Sequence, residues 1–268
     1  MRVTRRPKLG QHFLSSARYR ERIADALLLR REDLVIEIGP GRGAITGLLA
    51  RRAGRVVAIE LDARLAAQLK DDFDSSRNVE IVQADILTTD IAELCRSVSA
   101  SECYVLGNLP YYITSPILHH LFEFRDCIRG MALLMQREVA ERVTAAPGGR
   151  DYGYLSVMVQ LFSQPQVLFT VPPGAFSPPP KIQSALVDFR MAPRFPVWSA
   201  ERASSFLNFV KACFAQKRKS LTNNLAAVSP RCRIEATLAS LELPANIRAE
   251  QMTIENLAGL HAALAAKD

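Results

Sequence analysis

The stretch Val171-Pro172-Pro173-Gly174-Ala175-Phe176-Ser177-Pro178-Pro179-Pro180-Lys181-Ile182-Gln183 decides how the sheet of this chain closes. It separates two short apolar runs, Val167 to Val171 and Ala185 to Phe189, that read as strands. Its prolines cannot build a helix, because each removes an amide donor and crowds the preceding turn. Parallel neighbours need a long, usually helical crossover, so the last strand is expected to return antiparallel to the one before it. Five β-branched-rich runs lie upstream: Leu34 to Ile38, Arg55 to Ile59, Val79 to Val82, Cys103 to Leu106 and Met131 to Met135. Amphipathic stretches such as Ala44 to Ala53 and Arg64 to Phe73 alternate with them, the pattern of a mostly parallel sheet covered on both faces.

Composition changes after Phe189. Residues 1–190 are expected to form one α/β domain, 191–198 (MAPRFPVW) a linker, and 199–268 a small all-α domain. In the last, Phe206, Phe209, Val210, Cys213 and Phe214 recur at helical spacing and predict one buried face. The 268 residues carry 34 Lys and Arg against 27 Asp and Glu, a net charge of +7 that favours polyanionic partners such as nucleic acid. Five scattered cysteines without a CxxC pair argue against a zinc knuckle or a disulfide framework. Neither a signal peptide nor an apolar run of membrane-spanning length is present, so a soluble, cytoplasmic protein is expected.

The first strand runs into Glu37-Ile38-Gly39-Pro40-Gly41-Arg42-Gly43, where glycines let the backbone turn sharply and approach a ligand. Gly39 and Gly41 suit a dinucleotide or S-adenosylmethionine equally. Glu60, ending the second strand, can accept both ribose hydroxyls of either cofactor. Asp85, with Ile86 behind it, ends the third strand; it can accept an adenine amino group there or merely cap the following helix. The strand pattern separates the two folds. Seven strands ending in a reversed hairpin resemble the Rossmann-like sheet of class I methyltransferases, whereas a dinucleotide-binding sheet normally stays parallel.

Strand four ends in Gly107-Asn108-Leu109-Pro110-Tyr111-Tyr112. An adenine amino group is a poor nucleophile because its lone pair is delocalised into the ring. Two acceptors aimed at its hydrogens, the Asn108 side-chain oxygen and the Leu109 carbonyl, would favour a pyramidal nitrogen with a localised pair. Pro110 holds the residue before it extended, which helps aim that carbonyl. Tyr111 offers a face for a flipped base. Thr114-Ser115-Pro116 then suits a helix start with proline at the first position.

With these motifs in order, the chain resembles the ribosomal RNA adenine N6,N6-dimethyltransferase family, in particular its bacterial small-subunit (16S) branch, which confers kasugamycin sensitivity. The likeness covers Lys8 to Leu14, Glu37 to Gly43, Gly107 to Tyr111, Phe176 to Lys181 and Phe214 to Lys219. It implies S-adenosylmethionine as cofactor, contacted by His12, Leu14, Gly39, Glu60, Asp85 and Asn108; the family often has Asn where this chain has His12. It implies that Phe176 packs on the target base opposite Tyr111. The implied substrate is a pair of adjacent adenosines near the 3′ end of 16S rRNA in the small ribosomal subunit, with no membrane, no metal and no oligomer required.

Lys217, Arg218 and Lys219 are read with this resemblance as rRNA phosphate contacts at a helix end, and Arg2, Arg5, Arg6 and Lys8 as a basic arm. His119, His120 and Glu123 lie among apolar neighbours without a further ligand set, and no metal site is expected. Two alternatives remain. Large-subunit adenine methyltransferases of the macrolide-resistance type share the N-x-P-Y centre, though FSPPPK and QKRK favour the small-subunit branch. An RNA-binding assembly or transcription factor without turnover would not need Gly39, Glu60, Asp85 and Asn108 together.

Overall fold

A computed structural model describes residues 12–265. The basic residues Arg2, Arg5, Arg6 and Lys8, and the Lys8 to Gln11 part of the first motif, lie outside the described residues. The strands are β1 (Phe13–Leu14), β2 (Leu34–Ile38), β3 (Arg55–Glu60), β4 (Val79–Gln83), β5 (Cys103–Asn108), β6 (Ile128–Gln136), β7 (Ser163–Val171), β8 (Phe176–Ser177) and β9 (Ser184–Met191).

Seven of them form one sheet in the order β4-β3-β2-β5-β6-β9-β7, while β1 and β8 pair separately. The pairs β2/β3, β2/β5, β3/β4 and β5/β6 are parallel. β9 inserts between β6 and β7 and runs antiparallel to β6, with Met131 opposite Phe189 and Gln136 opposite Ser184. This is the class I methyltransferase arrangement. The proline-rich stretch reaches β9 with only a short turn at Pro173–Ala175 and the two-residue β8. β7 begins at Ser163, earlier than its apolar residues suggest, and includes Pro165. A proline is tolerated there because β7 is the outermost strand, where an amide can go unpaired.

β2 is buried at all five positions, as a central parallel strand must be. On one face of the sheet, Val35, Val56, Leu106, Leu134 and Leu186 pack with Ile23 of α1 (Ala17–Ala24) and Leu48 and Leu49 of α2 (Thr46–Ala50). Leu14 and Phe176 join the same cluster. α3 (Ala63–Asp72) packs on β3 and β4, followed by α4 (Ile91–Ser97) and α5 (Thr114–Glu123). α5 starts at Thr114, so Pro116 stands in its third position rather than its first.

The chain divides into two compact units, residues 1–140 with 164–191, and residues 141–163 with 192–268. The second unit is therefore discontinuous, and it takes in a segment that the composition change placed with the first. α6 (Arg137–Thr144) spans the boundary, and α7 (Tyr154–Phe162) is apolar on nearly every side, which lets it pack on α8 (Ala200–Cys213). Phe206, Phe209, Val210 and Cys213 of α8 are buried, and Phe214 meets the Tyr152 ring edge-on at 6.0 Å. The expected linker is tied down. Ala192 N–H donates to Phe162 O, Arg194 N–H to Leu161 O, and Phe195 stacks on Trp198 at 4.3 Å. α9 (Leu221–Asn224), α10 (Arg231–Ser240) and α11 (Ile254–Ala265) complete this unit among the described residues.

Candidate active site

The carboxyl ends of β2, β3, β4 and β5 meet at a cleft of about 910 Å³ including its open mouth, where a doubly wound sheet binds its ligands. His12, Gly39, Gly41, Glu60, Asp85, Ile86, Asn108, Leu109, Pro110 and Tyr111 all line it. Nearly every residue expected to bind cofactor or base therefore lines this one cleft. The exceptions are Leu14 and Phe176.

The glycine turn is held by a left-handed backbone, with φ of +66° at Gly39 and +60° at Gly41, a conformation open to glycine at little cost. A side chain at Gly41 would come within 3.0 Å of the Phe13 ring. Gly41 N–H donates to Glu60 Oε2 at 3.1 Å and Asp62 N–H to Oε1 at 2.9 Å. Each Glu60 oxygen keeps a further lone pair for one ribose hydroxyl. Burial raises the Glu60 pKa, and the two amide donors oppose the shift. Asp85 does what its cap reading asks, since Oδ1 accepts Leu87 N–H at 2.9 Å. Asp85 itself lines the cleft, and Ile38, Ile59 and Ile86 supply apolar walls suited to a purine.

Asn108 is oriented by a neighbour that can only accept. Its Nδ2 donates to the His12 carbonyl at 3.2 Å, and Oδ1 has no hydrogen-bond partner among the described residues. Leu109 N–H is used by Leu134 O at 2.9 Å, and its side chain is buried. Pro110 O takes Ile113 N–H and the Thr114 hydroxyl, while the Leu109 carbonyl between them accepts no hydrogen bond among the described residues. Two acceptors thus stand side by side at the end of β5. Tyr111 Oη lies 2.6 Å from Ser184 Oγ, which fixes its ring, and burial pushes its phenol pKa up.

Phe176 is 3% exposed and belongs to the core, not to the cleft wall. The cause is register. β1 and β8 pair with Leu14 opposite Phe176 and Phe13 opposite Ser177, and paired residues point to one face. Leu14 and Phe176 turn inward together; Phe13 turns to the cleft, with the Arg42 guanidinium 4.7 Å over its ring. Leu14 borders only an adjoining recess that also takes in Arg20, Glu37 and Arg42.

Two residues within these motifs are given no role by the sequence. Tyr112 stands 62% exposed on the cleft rim. Glu37 is buried at 2% exposure and accepts the Thr46 hydroxyl at 2.6 Å. Its signal in the sequence is a lone acid inside the apolar strand LVIEI. Burial, with the Glu60 charge adding to it, raises its pKa to about 7 against the Thr46 hydrogen bond. The folded state thus holds this proton more tightly than the unfolded chain does. Its contribution to stability is complete below the ordinary pKa of about 4.5 and is lost as pH rises through about 7. Unfolding measured at pH 5 and pH 8 should show a drop for the wild type that Glu37→Gln reduces by a few kcal/mol. Equal drops in the two proteins would contradict this assignment.

The basic run is divided by the structure. α8 ends at Cys213, so Lys217, Arg218 and Lys219 lie in turns beyond it rather than on a helix. The Lys217 ammonium donates to the Arg150 carbonyl. Arg218 and Lys219 instead line a polar groove with Asn223, Arg248 and Gln251. His120 Nε2 lies 2.8 Å from Thr89 O, and Nδ1 lies 3.8 Å from Glu123. No helix among the described residues is long and apolar enough to cross a membrane.

A family model described as ribosomal RNA adenine dimethylase matches residues 2–265. A ribosomal RNA small subunit methyltransferase A from Acidobacterium capsulatum is 44% identical over 95% of this chain and 89% of its own. A protein of the same name from Koribacter versatilis is 40% identical over 96% and 93%. Among solved structures, the 23S rRNA methyltransferase ErmE is similar with a TM-score of 0.72 and 29% identity, covering 94% of this chain and 99% of that one. A dimethyladenosine transferase from Plasmodium falciparum shares the fold with a TM-score of 0.78 at 23% identity, over 93% and 96%.

Proposed function

The chain belongs to the ribosomal RNA adenine dimethylase family, and on that footing we propose that it dimethylates N6 of two adjacent adenosines near the 3′ end of 16S rRNA. S-adenosylmethionine, when bound, supplies the methyl group as an electrophile. Glu60 holds its ribose, Asp85 and Ile86 its adenine, and the recess lined by Arg20 and Arg42 suits its carboxylate.

The observation that carries this reading is the fixed amide of Asn108. With Nδ2 committed to His12 O, Oδ1 and the Leu109 carbonyl form a paired acceptor for one amino group. Their hydrogen bonds pull the N6 hydrogens out of the base plane and leave the lone pair facing the cleft. Orientation is the main demand, because a sulfonium needs no strong base to assist attack. The first transfer releases S-adenosylhomocysteine, and the cationic nitrogen sheds one proton to solvent at the open mouth of the cleft. One hydrogen then remains to engage one acceptor, so the same pair serves the second. Tyr111 stacks on the base. In the second unit, Arg218, Lys219 and Arg248 contact rRNA phosphates, where cations bind without reading sequence. The cytoplasm is the proposed compartment.

Purified protein, labelled S-adenosylmethionine and small subunits from an undermethylated strain should yield N6,N6-dimethyladenosine on nuclease digestion of the RNA. Label found only in large-subunit RNA would favour the macrolide-resistance type of reaction, and a digest without the dimethylated base would sink the proposal.

A further inference from the structure

β4 is the outermost strand on its side of the sheet, so within the sheet the turn that follows it is braced by β3 alone. That turn, Ile86–Thr88, is capped by Asp85 and carries Ile86 to the cleft. It is wound tightly on Asp85. Leu87 N–H donates to Oδ1 at 2.9 Å, and Thr88 N–H and the Thr89 hydroxyl donate to the Asp85 carbonyl at 3.0 and 2.8 Å. Its far end is held from another element. The Thr89 carbonyl lies 2.8 Å from His120 Nε2 on α5, which packs against the turn. A carbonyl can only accept, so Nε2 bears a proton and donates it. The ring meets Phe124 edge-on at 5.1 Å and is 14% exposed, whereas Glu123, 3.8 Å from Nδ1, is 72% exposed.

We propose that His120 is a positioning residue for the cofactor: it ties the turn that presents Asp85 and Ile86 to the helix that springs from residues 108–111. This rests on the S-adenosylmethionine-dependent reading above. α5 is a firm anchor, since Ile117, Leu118 and Leu121 are buried and the Thr114 hydroxyl donates to Pro110 O at 3.1 Å. One end of the helix is thus bonded to the strand-end segment after β5, and His120, further along, is bonded to the turn after β4. A turn already held in its bound shape has less freedom to lose when a ligand arrives. Without the imidazole donor, the Thr89 carbonyl loses this partner, and ordering the turn then weakens the hold on the cofactor. The exposed Glu123 carboxylate adds little, because a solvated ion pair contributes little.

Calorimetric titration of the full chain with S-adenosylmethionine, without RNA, reads this directly. His120→Leu keeps an apolar body and removes the donor, so Kd should rise about tenfold, the scale of one lost hydrogen bond. At saturating cofactor, kcat and the KM for undermethylated small subunits should stay within about twofold of wild type. His120→Gln carries an amide N–H in place of the ring N–H and should bring Kd back to within about threefold of wild type. Glu123→Gln should leave Kd within about twofold. The proposal is overturned if His120→Leu lowers the thermal midpoint with Kd unchanged, if His120→Gln binds no better than His120→Leu, or if Glu123→Gln raises Kd as much as His120→Leu does. Wild-type protein that takes up no S-adenosylmethionine would instead remove the underlying reading.

Discussion

Asn108→Ala is expected to lower kcat for methyl transfer by about 10²–10³-fold, the loss typical of removing one preorganised hydrogen-bonding group at a reacting centre. KM for the small subunit should change little, because the variant keeps Tyr111 and the basic groove of the second unit. Alanine takes away two things: the Oδ1 acceptor at the cleft, and the Nδ2 donor on His12 O. The second loss leaves a partly buried carbonyl unpaired and should cost about 1 kcal/mol of stability. A thermal midpoint taken beside the kinetics keeps the two apart. If kcat stays within threefold of wild type, Asn108 is not the acceptor. A collapse of both subunit binding and midpoint would mean that its main task is structural.

The largest expected loss of stability lies away from the cleft, at Gly54. A Cβ added there would stand 2.2 Å from the Arg31 carbonyl oxygen and 3.0 Å from its carbon. Backbone cannot swing aside as a side-chain tip can. Gly54 and Arg55 N–H groups both donate to Asp33 O, at 3.0 and 3.2 Å, so this crossing ahead of β3 is clamped where the clash falls. Gly54→Ala should therefore cost about 3 kcal/mol and lower the thermal midpoint by roughly 6–12 °C. Gly174→Ala is the matched control, since a Cβ there meets nothing within 4 Å. Similar midpoints for the two variants would show that the Arg31 crossing yields easily.

All seven strands of the main sheet were legible because each is a short apolar run bounded by turn residues, and the prolines of 172–180 excluded a crossover helix. The cleft residues were legible for a related reason. They end successive parallel strands, so one sheet edge gathers them. What stayed hidden depends on partners distant in sequence. Nothing local to QKRK says that the helix before it stops at Cys213; Asn224 Nδ2 ends it by donating to Cys213 O at 2.7 Å and Gln216 O at 3.1 Å. The aromatic of FSPPPK carries no mark of the face it takes, because that is set by pairing with Leu14. Residues 141–163 lie ahead of the composition change that set the expected boundary, and only packing of α7 on α8 shows which unit they belong to.

The pairing of β1 with β8 has a consequence for the order of assembly. His12 and Pro178, joined by a hydrogen bond, are 166 positions apart in the chain. A contact of such separation carries a loop-closure cost that local contacts avoid, and it forms late when local elements form first. During synthesis the N-terminal segment emerges early and must wait until the proline-rich stretch has left the ribosome. Every strand that ends at the cleft is complete by Asn108, so a nascent chain can assemble that edge of the sheet well before the proline-rich stretch arrives to hold His12 at its rim. The cleft's last wall is then fitted from the far end of the sequence.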